Sequence, residues 1–221
     1  MFIAYPIACD PEYNDVLTVA LSDEIILPLD YFRSVMEDFE DESVLYVTLT
    51  NTHNEKKYLV TLGAPHQQDK KMIFVPAWIL DLLQYDPLAE MDYLRIEKAD
   101  SKELPVASTI IIKPLDPLAF ANDLIDCFEK AFVNLHSIEE HITIPVQLDD
   151  GIVIFAYIEK VEPAPLARIV SGEVNVEFLH DFAEIPMDLP LIDNFVQPES
   201  IELSPEERRK RVRDSWTSKM G

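Results

Sequence analysis

Between Met72 and Leu115 the chain changes direction every few residues. Met72 to Val75 is a short apolar run that stops at Pro76, and Trp78 to Leu83 follows with helical spacing. Tyr93 to Lys98 alternates, Leu104-Pro105 breaks the pattern, and Thr109 to Ile112 resumes it with β-branched residues, which suit a pleated surface. The stretch therefore reads as strand, short helix, strand, turn, strand. Segments this short bury little apolar surface alone. The chain reads as many short strands with a few brief helices, and its expected fold is mixed but mainly β.

The same rhythm runs on both sides. Residues 1–20 read as extended, with Pro6 and Pro11 limiting regular pairing. Glu24 to Leu27 is a short strand, and Pro28 opens a helix over Leu29 to Phe39 with apolar positions at Leu29, Phe32, Val35, Met36 and Phe39. Val44 to Thr50 and Lys57 to Leu62 flank the turn residues Asn51-Thr52-His53-Asn54, which predicts a hairpin. Asp116 is a good N-cap with Pro117 at the first helical position. Ala121, Leu124, Ile125, Phe128, Phe132 and Leu135 then form one apolar stripe, so a single helix is expected over 116–135. Ile142 to Leu148 and Ile152 to Val161 flank Asp149-Asp150-Gly151, a strong hairpin signal, and Pro145 marks the first of these strands as an edge. Ala167 to Val170 and Val174 to Phe178 predict a second hairpin around Ser171-Gly172.

Several of these pieces, in this order, resemble one family. They are Tyr5-Pro6-Ile7, the stretch Glu24 to Val35, the strand Val44 to Asn51, Val75-Pro76-Ala77-Trp78 with Leu82-Leu83, and Leu94-Arg95-Ile96. Leu104-Pro105-Val106-Ala107-Ser108-Thr109 before Lys113-Pro114-Leu115, and Val174-Asn175-Val176-Glu177-Phe178, complete the set. Together they resemble the ubiquitin fusion degradation protein 1 family, the ubiquitin-recognising adaptors of a hexameric AAA+ unfoldase. The resemblance covers residues 5–182. It implies a double-psi β-barrel over 1–115, a smaller α+β subdomain over 116–182, and beyond them an extended tail with a short C-terminal helix over 183–221. It also implies ubiquitin or polyubiquitin chains as partners, with an AAA+ unfoldase or its second adaptor subunit as a further one. The family's short ATPase-binding motif, F-x-G-x-(x)-L, is absent past Gly172, because the next glycine is Gly221.

Composition narrows the function. With 18 basic against 41 acidic residues the net charge is −23, which disfavours nucleic acid and anionic membranes. No apolar run approaches the roughly 20 residues of a membrane-spanning helix, and the first residues lack the basic region of a secretory signal. Cys9 and Cys127 make no disulfide framework and read as structural residues in a reducing compartment. The expected location is cytoplasmic or nuclear. The four glycines Gly63, Gly151, Gly172 and Gly221 build no phosphate loop. His136 and His141, with Glu139 and Glu140 between them, match no metal spacing and read as a surface loop. Asp149-Asp150 reads as turn chemistry, and Trp78 as core. No catalytic, cofactor-binding or metal-ligating residue is assigned, and a non-enzymatic binding protein is expected.

The last stretch differs in character. Ala183 to Leu203 holds Pro186, Pro190 and Pro198 with apolar anchors, Phe195 among them. Ser204-Pro205-Glu206-Glu207 then has the form of a capped helix start. Ser204 to Gly221 carries six basic and three acidic residues, a charge of +3, which leaves the body at −26. Phe195, Arg208, Arg209, Arg211, Arg213 and Trp216 are the expected partner-binding residues. The tail would then be a docking arm. The alternative expectation is that the fold serves as a structural component of a large assembly such as a virion, with other subunits as its partners.

Overall fold

The structure is a computed structural model that describes residues 1–10, 16–37, 44–87, 89, 92–170 and 174–179. Phe195, Arg208, Arg209, Arg211, Arg213, Trp216 and the whole 183–221 segment lie outside the described residues.

The first part of the chain closes on itself through strand pairing. Its strands are β1 (Ile3–Pro6), β2 (Glu24–Ile25), β3 (Tyr46–Asn51), β4 (Lys57–Leu62), β5 (Met72–Val75) and β6 (Leu94–Lys98). One sheet runs β2-β4-β3-β6, with β2 and β4 parallel and the other pairs antiparallel. A separate parallel pair joins β1 to β5. Two isolated bridges connect them. Phe2 and Leu94 exchange hydrogen bonds of 2.9 Å, and Ile26 and Phe74 exchange bonds of 2.9 and 3.0 Å. Through these pairs and bridges each of the six described strands meets a neighbour on both sides. Three helices decorate it: α1 (Val16–Ala20), α2 (Leu29–Met36) and α3 (Ala77–Leu82). Pro28 and Pro76 sit at the N-caps of α2 and α3, where a residue without an N–H costs nothing. Trp78 is buried as expected. Its indole N–H donates to the Ser22 carbonyl at 3.1 Å, and its ring meets Tyr58 edge-on at 5.6 Å.

The second part adds β7 (Thr109–Pro114), α4 (Leu124–Asn134), β8 (Ser137–Glu139), β9 (Thr143–Gln147), β10 (Val153–Glu162), β11 (Leu166–Arg168) and β12 (Asn175–Phe178). The sheet order is β12-β7-β10-β9, with β11 and β8 paired separately. β9 is an edge strand, as Pro145 predicts. β7 ends just before the expected boundary at 115, yet its partners are β10 and β12, so pairing ties it to the later strands. One hydrophobic core runs through both parts, from Leu49, Val60 and Ile79 to Phe128, Ile144 and Ile158.

Three sequence expectations fail here. Residues 1–20 are not extended throughout, because Val16–Ala20 is helical. The helix expected over 116–135 is two pieces. Asp116 caps a 3-10 turn at Pro117–Ala121, Asn122 is extended, and Asp123 caps α4 anew by accepting from the Asp126 N–H. The second hairpin does not exist. β11 pairs antiparallel with β8, while β12 pairs parallel with β7. A turn-like Ser-Gly pair permits a hairpin locally, but the available partner edges decide.

Candidate functional site

Among the described residues, Asp23 is the buried carboxylate with the densest set of hydrogen bonds. It precedes β2, is fully buried, and accepts from five donors. Oδ2 takes the main-chain N–H of His136 and of Ser137 at 2.9 Å each, and the Ser137 hydroxyl at 3.1 Å. Oδ1 takes the His136 ring Nδ1 at 2.9 Å and the Thr61 hydroxyl at 3.2 Å. A carboxylate only accepts, so the ring proton sits on Nδ1. This bond raises the His136 pKa above its ordinary value of 6.5, against the opposing effect of burial. His136 is therefore half-buried junction rather than surface loop, which corrects the sequence reading. His141 is likewise engaged, its Nδ1 lying 2.9 Å from the Tyr157 hydroxyl.

The Asp–His–Ser/Thr composition invites comparison with a hydrolase triad. A triad places its nucleophile on the ring nitrogen opposite the carboxylate. Here both hydroxyls lie on the carboxylate's side: Ser137 bonds Oδ2, and Thr61 bonds Oδ1 and sits 3.4 Å from the same Nδ1. The cluster's hydrogen-bonding capacity is turned inward, tying the loop before β2 to the start of β8. Nearby, the Tyr58 hydroxyl is buried without a partner of hydrogen-bonding geometry, and burial pushes its pKa well up.

The surface offers something different. Between α4 and the 169–176 segment runs a groove of about 530 Å³. Its apolar lining includes Ile125, Phe132, Val133, Ile169, Val174 and Val176. Ile125 was expected in the core stripe, but the structure leaves it 61% exposed, and Val133 is 63% exposed. The stripe residues Phe128 and Phe132 do bury themselves, at ring distances of 5.9 Å from each other and 5.3 Å from Phe128 to Phe178. Asp126 and Glu129 border the groove. Lys130, the cation beside them, is held by Asp126 at 2.5 Å and Asp149 at 3.0 Å. Exposed apolar side chains bordered by charge are what an interaction face presents.

Other candidate chemistry is accounted for. Cys127 is buried and its thiol pKa is raised by burial, which keeps it protonated and inert, while Cys9 is exposed rather than packed. The Asp150 carboxylate accepts from the Ile152 N–H within the hairpin turn, as expected. Among the described residues no group of three or more metal-ligating side chains exists, and no helix is long and apolar enough to cross a membrane. The sequence reading did not find the junction, since Asp23 and His136 are 113 residues apart. Nor did it find the groove, since Ile125 reads as one more member of the core stripe and Val133 lies outside that stripe.

A scan against protein-family models and a search of curated proteins return no match for this chain.

Proposed function

We propose that this chain is a non-catalytic, ubiquitin-binding adaptor-like protein, built as a double-psi β-barrel followed by a smaller α+β subdomain. The sequence resemblance to the ubiquitin fusion degradation protein 1 family motivates the ligand. The closed circuit of six strands fits the barrel. The observation that carries the reading is the α4 groove. It presents Ile125 and Val133, carries the Asp126 and Glu129 carboxylates beside Lys130, and lies on a body of charge −26. Ubiquitin's binding face is apolar with a basic rim, so the two surfaces complement each other in both respects. Electrostatic attraction then governs encounter and orientation, while the apolar contact holds the pair.

The test is a titration of isotope-labelled ubiquitin, single and in chains, with the full-length protein. Single ubiquitin is expected to bind in roughly the high micromolar range or weaker, as small transient interfaces do. Shifts should be confined to ubiquitin's apolar face, and Ile125→Asp or Val133→Asp should remove them without unfolding the protein. Absence of any shift at millimolar protein refutes the reading and favours a structural role in a large assembly.

A further inference from the structure

We infer that the outer edge of β12 accepts an extended protein segment in which apolar and basic residues alternate. The segment adds to the sheet as one more strand and lays its apolar side chains in the groove beneath α4. This rests on the groove being the ligand-binding face and specifies how the ligand is held.

The main chain supplies the first argument. The N–H groups of Asn175 and Leu179 donate to the Ser108 and Ile112 carbonyls of the β7 side at 2.9 Å each. Along a strand these groups alternate in direction, so the N–H and C=O of Val176 and Phe178 point away from β7. Among the described residues no strand lies on that side, and β12 ends the sheet. An unpaired edge is a template for another chain.

The second argument is a contrast within the same sheet. The opposite edge strand, β9, carries Pro145 in its middle, opposite Phe155. Proline blunts an edge by removing a donor. β12 reads Asn-Val-Glu-Phe and has no proline, no lysine and no register shift against β7. Among the described residues, one edge is protected by proline and the other is not.

Side chains set the chemistry of the occupant. Phe178 packs on Phe128 of α4 and Val176 lines the groove, so this face of β12 is the apolar one. A strand added beside it presents alternate side chains to the same face. Asn175 and Glu177 lie on the other face, where Glu177 is exposed. A basic side chain on the added strand would sit diagonal or opposite to Glu177, a favourable cross-strand pair. Strand addition of this kind draws affinity from the main chain and specificity from alternate side chains.

The experiment uses the full-length chain and a short synthetic peptide alternating leucine and arginine, followed by fluorescence anisotropy. Binding is expected, and a leucine–glutamate peptide should bind at least about tenfold more weakly. N-methylation of one alternate set of peptide residues should weaken binding by about tenfold or more, and of the other set should leave it unchanged, because only one set faces β12. Val176→Pro, which removes an outward N–H and none of the β7 ladder, should act like the first N-methyl set. Equal binding of both N-methylated peptides overturns the inference. So does self-association in sedimentation that the peptide fails to reverse, which would make a second copy the occupant. Peptide binding without ubiquitin binding refutes the ubiquitin reading alone, and ubiquitin binding without peptide binding refutes the strand-addition inference alone.

Discussion

Replacing Asp23 by alanine tests whether the buried junction holds the two parts of the fold together. The side chain is fully buried and satisfies five donors. Two of those are the main-chain N–H groups of His136 and Ser137. Leaving a buried donor unpaired costs about 1–3 kcal/mol, so the pair alone gives about 2–6 kcal/mol. The Ser137 hydroxyl adds little, because the Leu59 carbonyl at 3.2 Å can take it. The expected loss is about 3–5 kcal/mol, the range for breaking a buried charged pair. That is a large part of the 5–15 kcal/mol or so that holds an ordinary domain together. Asp23→Asn separates acceptor from charge. Its amide oxygen still serves the two N–H groups and its NH2 turns to Thr61 and the ring, so the cost should be about 1–2 kcal/mol. Urea unfolding followed by circular dichroism measures both. At a slope of about 2 kcal/mol per molar, alanine lowers the midpoint by roughly 2 M and asparagine by under about 1 M. An alanine variant within about 1 kcal/mol of the wild type refutes the reasoning. If asparagine costs as much as alanine, the charge rather than the acceptor geometry holds the junction.

The remaining expectations concern the same architecture. His136 has its pKa raised by the bond to Asp23, and Glu24 acts in the same direction. Its contribution is therefore fully present below the ordinary value of 6.5 and is lost as pH rises through the raised value. His136→Gln should cost more stability at about pH 5.5 than at about pH 8.5, and an equal cost at both sinks the assignment. Phe128→Ala removes a fully buried ring that meets Phe132 and Phe178 and should cost about 3–5 kcal/mol in the same urea assay. Gly151 has φ +85° in the hairpin turn, and an added Cβ would make only an ordinary contact of 3.9 Å with the Gln147 side-chain nitrogen, so Gly151→Ala should cost only the backbone strain, about 1 kcal/mol.

The sequence carried the local half of this fold. β3, β4, β5, β6, β9 and β10 stand where alternation and turn residues put them, because a strand's period and a two-sided turn are properties of neighbouring residues. It failed where a partner had to be chosen at a distance. β12 pairs in parallel with β7, some sixty positions earlier by register (Asn175 with Thr109), and parallel pairing leaves no turn between the strands to read. The break at Asn122 was missed for another reason. The apolar stripe continues through it, and only the second cap at Asp123 marks the new start.

The candidate site was illegible for the same physical reason in two forms. Asp23 and His136 look like any surface acid and any loop histidine until the fold brings them to 2.9 Å, since nothing periodic links residues so far apart. The groove is subtler. Ile125 belongs to the apolar stripe of α4 by spacing, and a stripe predicts only that one side of a helix will be covered. It does not say how wide the cover is. Here the sheet covers Phe128 and Phe132 and leaves Ile125 and Val133 exposed, β12 being the last strand on that side among the described residues. Among the described residues, the exposed apolar side chains of α4 and the outer edge of β12 therefore lie on the same side of the sheet.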